Sequence, residues 1–327
     1  KRQLYNGNKR LKTIQQEKLN NQMAELDVAT SENNIQESIA QVYIQILYAA
    51  ESVKVNENTL QVSIAQRDRG QELLNAGSIA KRDFAQLEAQ VSTDRYQLVT
   101  AQATLQDYKL QLKQLLELDG ENEMNIYLPA LSDENVLAPL PTKRDVYISA
   151  LSLRPEIEAS KLNVEASELG INIAKSSYFP TISLSAGIGT NHTSGSDFTF
   201  GEQVKNGWNN SIGLSVSVPI FNNRQTKSAV QKAKLQYETS MLSLLDEQKA
   251  LYKTIESLWL DANSAQQRYA AANEKLKSTQ ISYELISEQF NLGMKNTVEL
   301  LTEKNNLLQA QQEQLQAKYM AIPVSYT

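Results

Sequence analysis

The chain has 327 residues, no Cys, one His and a formal charge of −5. That balance offers no basic stripe to neutralise phosphates and excludes a nucleic-acid binder. The missing Cys removes thiol catalysis, Cys-ligated metal and disulfides together, and 12 Gly with 7 Pro leave few turn signals.

The chain opens in mid-pattern at KRQLYNG (1–7), so it reads as the continuation of a longer protein. A Gly- and Pro-poor amphipathic stretch then runs to LLNAGSIAKRDF (73–84), with apolar positions Ile35, Ile39, Val42, Ile46, Ala49, Val53 and Leu60. This predicts a long helix, a glycine turn and a returning helix over 8–117. Segment 118–145 concentrates Pro, Gly, Asp and Asn and predicts an irregular connection, with 118–152 as the linking region. A helix over 153–179 follows, with Pro155 near its start and Pro180 ending it.

PTISLSAGIGTN (180–191) and SIGLSVSVPIF (211–221) change the period to two. Ile182, Leu184, Ala186 and Ile188 alternate with Ser and Gly, as do Ile212, Leu214, Val216 and Val218. Each run is about ten residues, the length of a tilted strand crossing a bilayer, with Trp208 and Tyr178-Phe179 at the ends where interfacial aromatics sit. An ordinary half-buried hairpin shows the same alternation, but here the neighbouring helices are too polar to cover a sheet. The pair therefore predicts a transmembrane hairpin over 180–221 whose edges are closed by further hairpins.

From about 224 to 291 runs a second long helix, roughly 100 Å at 1.5 Å per residue. Its heptad-spaced stripe extends from Tyr237 to Phe290, with Leu245, Tyr252 and Trp259 widening it. Shifted by 216 residues, the first half falls on the second: Asn75 on Asn291, Gly77 on Gly293, Asp83 on Glu299. The chain is thus a tandem repeat of strand hairpin and helical hairpin. Residues 1–7 are the end of the first strand pair, and 222–327 are the second helical hairpin.

The stretches LRPEIEAS, YFPTISLSAG, SVSVPIFN and FNLGMKNTVELL, the last echoed by LNAGSIAKRDF, resemble the TolC family of outer-membrane efflux and secretion channels, in order and over essentially the whole chain. The resemblance implies a mainly α fold: antiparallel coiled-coil helices forming a periplasmic tunnel, and transmembrane β-hairpins contributing to a 12-stranded barrel in a homotrimer. It implies an outer-membrane exit duct of a Gram-negative bacterium, served by a periplasmic adaptor and an inner-membrane transporter, without enzymatic activity. The expected lipid-facing residues are Ile182, Leu184, Ile188, Ile212, Leu214, Val216 and Val218. Carried across by the turn glycines, the family's gate falls on Asp83, Phe290, Lys295 and Glu299. Thr302 stands at a second acidic position, and Phe290 lacks the hydroxyl usual there. The adaptor-docking tips fall on Asn75, Gly77, Ser78, Asn291, Gly293 and Met294.

No cofactor or metal site is expected. His192 alone cannot build a triad or a metal cluster, no nucleotide-binding glycine loop occurs, and most carboxylates lie on helices and read as solvated faces. Rival readings are a periplasmic adaptor, which would carry one hairpin and a compact β-domain, and a structural coiled-coil scaffold, which needs no lipid-facing alternation.

Overall fold

The computed structural model describes residues 1–118, 126–127, 136–195 and 197–322. In chain order the elements are β1 (Arg2–Asn6), α1 (Lys9–Asn75), α2 (Lys81–Leu115), α3 (Lys143–Leu153), α4 (Pro155–Lys175), β2 (Thr181–Gly189), α5 (Phe200–Asn206), β3 (Asn209–Ser217), α6 (Gln225–Asn291) and α7 (Thr297–Ala321). Two helices of 67 residues, α1 and α6, occupy equivalent places in the two halves. Helices of that length form because strong helix formers run without Pro, with Gly70 of α1 the one glycine in either helix, and their apolar rows find packed neighbours.

By compactness the chain divides into two units, residues 1–30 with 148–252, and residues 31–147 with 253–327. The division is not serial because α1 and α6 each contribute residues to both.

The first unit carries a three-stranded antiparallel sheet in the order β1-β2-β3. β2 and β3 pair in continuous register, Ile182 opposite Val216, Leu184 opposite Leu214 and Ala186 opposite Ile212. β1 pairs with the start of β2, with an irregularity between Gln3 and Tyr5. Asn6, Thr181 and Ser217 lie in one row, so the three strand ends that join helices share one rim. Below that rim Ile157 and Ala166 of α4 are buried. Gln16 donates to the Ala166 carbonyl at 2.9 Å, and the Ser167 and Ser240 hydroxyls meet at 2.8 Å. Gly7 adopts φ +64° where a Cβ would stand 2.7 Å from the Ser176 carbonyl oxygen, so the turn from β1 into α1 requires glycine.

Two sequence boundaries move. The helix expected over 153–179 is α4, which starts at Pro155, separated at Arg154 from the end of α3, and ends at Lys175 before a 3₁₀ turn, Ser176–Tyr178. The break falls at Arg154 because Pro155, at the first helical position of α4, disfavours helical backbone in the residue before it. The linking region 118–152 includes most of α3, while its residues 119–125 and 128–135 lie outside the described residues. β3 ends at Ser217, which leaves Val218 one position beyond the ladder, ahead of Pro219, whose ring nitrogen cannot donate.

The second unit has a continuous core of Leu47, Val136, Ala265, Tyr269, Leu315, Ala317, Tyr319, Ala321 and Ile322. Tyr48 meets Tyr319 edge to face, ring centroids 6.2 Å apart. The segment before α3 is strapped to α6: Trp259 donates to the Pro141 carbonyl at 3.0 Å, and Gln266 donates to those of Val136 and Ala138. Lys143 pairs with Glu256 at 3.1 Å and stands over the Trp259 ring. These bonds satisfy backbone carbonyls that no secondary structure serves.

Candidate functional site

Two surfaces gather the chemistry: the apolar face of the sheet and the pair of helical turns. Directly opposed residues of an antiparallel pair lie on the same face. The register therefore collects Ile182, Leu184, Ala186, Ile212, Leu214 and Val216 on one side, and Ser183, Ser185, Gly187, Ser211, Gly213 and Ser215 on the other. The apolar side is bare: Leu184 is 40% exposed, Ile188 74%, Leu214 67% and Ile212 83%, and Val216 and Val218 are exposed as well. Ile182, opposite Tyr5, is half-buried. β1 and β3 are both edge strands, each with a row of backbone groups facing outward.

The loop from β2 to β3 is more organised than sequence suggested. It contains the short helix α5, opened by a capping box in which Thr199 and Glu202 exchange bonds. Those bonds hold the Glu202 carboxyl below its usual range. Gln203 accepts from the Thr193 amide at 2.8 Å and meets His192 Nδ1 at 3.1 Å, while His192 stacks edge-on against Phe200. His192 is thus an exposed loop residue that orders the loop.

The helical turns are near-identical by construction. Gly77 has φ +74° and Gly293 φ +76°. In each turn the glycine amide donates to the third carbonyl back, and the next amide to the fifth: Ser78 to Leu73 at 2.8 Å, Met294 to Gln289 at 2.9 Å. This double bond pattern needs a left-handed residue, which is why glycine recurs at a spacing of 216. Asn75 and Asn291 close α1 and α6, and Arg69 ties the turns together by donating to the Asn291 carbonyl at 3.3 Å. Asn75, Ser78, Asn291 and Met294 are all exposed.

The residues expected at the gate separate into two kinds. Phe290 is buried, only 2% exposed. Lys295 and Glu299 face each other at 2.6 Å within the same turn, and Glu299 also completes a capping box with Asn296. The hydrogen bond from Lys295, then that from the Asn296 amide, hold the Glu299 carboxyl below its usual value. Asp83 sits in the first turn of α2 beside Arg82 at 3.1 Å, and the Thr302 hydroxyl donates to the Val298 carbonyl. The charged gate residues are thus engaged locally.

One cluster is an exception to the reading of most helix carboxylates as solvated faces. Asp94 is 2% exposed and pairs with Lys304, 3% exposed, while Ser63 bonds to both. Gln90 donates to the second Asp94 oxygen at 2.9 Å. The cluster joins α1, α2 and α7, and burial pushes the Lys304 ammonium below its usual value against the opposing pull of Asp94. Its signal was present: Lys304 lies between Leu300 and Leu307 at heptad spacing, and Asp94 continues the row of Leu87 and Val91.

These features define a mainly helical hairpin repeat that carries alternating β-strands, and comparisons with known proteins agree. The family model for outer membrane efflux proteins matches residues 146–322, more than half of the chain. The chain belongs to that family. It is 25% identical over 297 residues to the outer membrane efflux protein BepC of Brucella suis biovar 1 (strain 1330), covering 90% of this chain and 62% of that protein. It is 24% identical over 289 residues to the outer membrane protein TolC of Escherichia coli (strain K12), covering 86% of this chain and 57% of that one. The chain therefore spans less than two thirds of these relatives' lengths. The crystal structure of the outer membrane protein VceC from Vibrio cholerae superposes with TM-score 0.80 at 16% identity, over 99% of this chain and 75% of that one. That likeness establishes the fold: long antiparallel helices joined to part of a β-barrel.

Proposed function

We propose that the chain is a major part of a trimeric exit duct in the outer membrane of a Gram-negative bacterium. Its β-hairpins share a lipid-embedded barrel with those of the other protomers, and its helical hairpins line a tunnel through the periplasm. The observation that carries this reading is the sheet register, which leaves a continuous apolar face bare and both strand edges unpaired. In water such a face and such edges are liabilities; in a closed barrel within lipid both are satisfied. The exposed apolar residues Leu235, Leu242, Leu245 and Leu260 along α6 support neighbouring copies in the same way.

The duct has no chemistry of its own. An inner-membrane transporter supplies energy, and a periplasmic adaptor docks on the turns around Asn75, Gly77, Ser78, Asn291, Gly293 and Met294. Phe290, with Asp83, Lys295, Glu299 and Thr302 around the same turns, forms the periplasmic constriction. Relatives named for efflux and for toxin and drug export support passage of solutes. The test is conductance of the full-length protein in planar bilayers, with the oligomer measured by light scattering in detergent. Stable trimers with discrete conductance steps are expected; a non-conducting monomer would defeat the proposal.

A further inference from the structure

The helical rim of the sheet is one-sided in charge. Residues 1–16, 169–180 and 218–237 flank Asn6, Thr181 and Ser217, and together hold ten Lys and Arg with no Asp or Glu. The whole chain is net negative, so this is a local reversal. Lys9, Arg10 and Lys12 lie within about 5 Å of the start of α1 by helical rise, and Lys227 lies as close to the start of α6. Lys175 closes α4, and Arg224 precedes α6. Five of these six are exposed and Lys12 is half-buried. None of them has an ion-pair partner among the described residues.

At the starts of α1 and α6 the placement opposes helix electrostatics, whereas Lys175 at the C-terminal end of α4 accords with it. Cations at a helix N-terminus meet the positive end of its dipole, and neither α1 nor α6 has an acidic residue in its first turn. Local stability therefore gives no reason for positive charge at these two helix starts. The apolar face gives one: it ends at this rim, with Tyr5 opposite Ile182 beside it, where a bilayer's hydrocarbon gives way to headgroups.

We propose that these cations form a collar that binds the phosphate groups of anionic phospholipids in the leaflet facing the helices. The inference rests on the lipid-facing reading of the sheet. Long Lys and Arg stems reach from the helix starts to headgroup depth, and an anionic surface attracts each charge that lies near it. Repetition across protomers makes the collar continuous around the barrel.

The test uses the full-length protein in vesicles of phosphatidylcholine with phosphatidylglycerol, probed with spin-labelled forms of each lipid. Wild type is compared with a Lys9→Gln/Arg10→Gln/Lys12→Gln/Lys175→Gln/Arg224→Gln/Lys227→Gln variant. Motionally restricted label is expected to favour phosphatidylglycerol by at least about twofold at low salt, with the preference falling at high salt and vanishing in the variant. Equal restriction of both labels in wild type overturns the collar while leaving the lipid-facing sheet intact. A preference that survives in the variant overturns it too, by placing the selectivity elsewhere. Absence of any restricted lipid refutes the lipid-facing sheet and the collar together.

Discussion

Lys304 of α7 and Asp94 of α2 form the one ion pair among the described residues with both side chains buried, and Ser63 of α1 bonds to each. A buried pair is costly to break because the surviving charge is left unsolvated. Lys304→Met should therefore destabilise the protein by about 3–5 kcal/mol, measured by urea unfolding in detergent. Replacing both partners, as Lys304→Met/Asp94→Leu, should recover most of that loss. A single variant within about 0.5 kcal/mol of wild type, the range of ordinary surface substitutions, would show that the pair is not closed in solution.

Acid should weaken the start of α7. The Glu299 carboxyl is held below its usual value by Lys295 and the Asn296 amide. The folded state thus binds its proton less readily than the unfolded state does. The stabilisation is fully present above the unfolded value of 4.5 and is lost as pH falls through the lower folded value. Hydrogen exchange of the first turn of α7 should rise below that range, and Glu299→Gln should blunt the rise. Asn296→Ala removes the other half of the capping box and should cost about 1 kcal/mol at neutral pH.

The turns separate fold from docking. Nothing lies within 4 Å of a Cβ built on Gly77 or Gly293, so Ala there meets only the left-handed backbone penalty, about 1–2 kcal/mol. Bulky replacements of Ser78 or Met294 should abolish export while the trimer and membrane insertion persist. Unimpaired export by both variants would count against docking at these turns.

Gating should depend on packing more than charge. Phe290 is buried, whereas Lys295 and Glu299 keep roughly a third or more of their side chains in solvent. Removing a buried Phe costs about 3–5 kcal/mol, and an exposed pair is worth about 0–1 kcal/mol. In single-channel recordings Phe290→Ala should open the channel far more than Lys295→Ala. The reverse order would show that the Lys295–Glu299 pair holds the closed state.

The periodicities were legible where burial repeats simply. The glycine turns, the two 67-residue helices and the alternating strands all follow from spacing, because each buries one face. The Lys304–Asp94 pair was visible as charge in an apolar row, but a single row cannot reveal its partner on another helix. The α5 helix was hidden because seven residues give too few turns for a period, and its capping box lies among loop-forming residues. The break at Arg154 depends on one proline whose position suits both a helix start and a helix end. Asp83 and Glu299, the carboxylates expected at the gate, bond locally, and resemblance carries no information about that.

The strand alternation is the feature on which the account turns, and it is testable one residue at a time. Leu214 and Ser215 are neighbours on β3 with side chains on opposite faces. Nitroxide labels at each position in the full-length reconstituted protein can be probed for collision with oxygen, which concentrates in lipid, and with a water-soluble nickel chelate. The label at 214 should be relaxed by oxygen and protected from nickel, with the opposite pattern at 215. Nickel access at 214 equal to that at 215 would place the apolar face in water and contradict the membrane barrel.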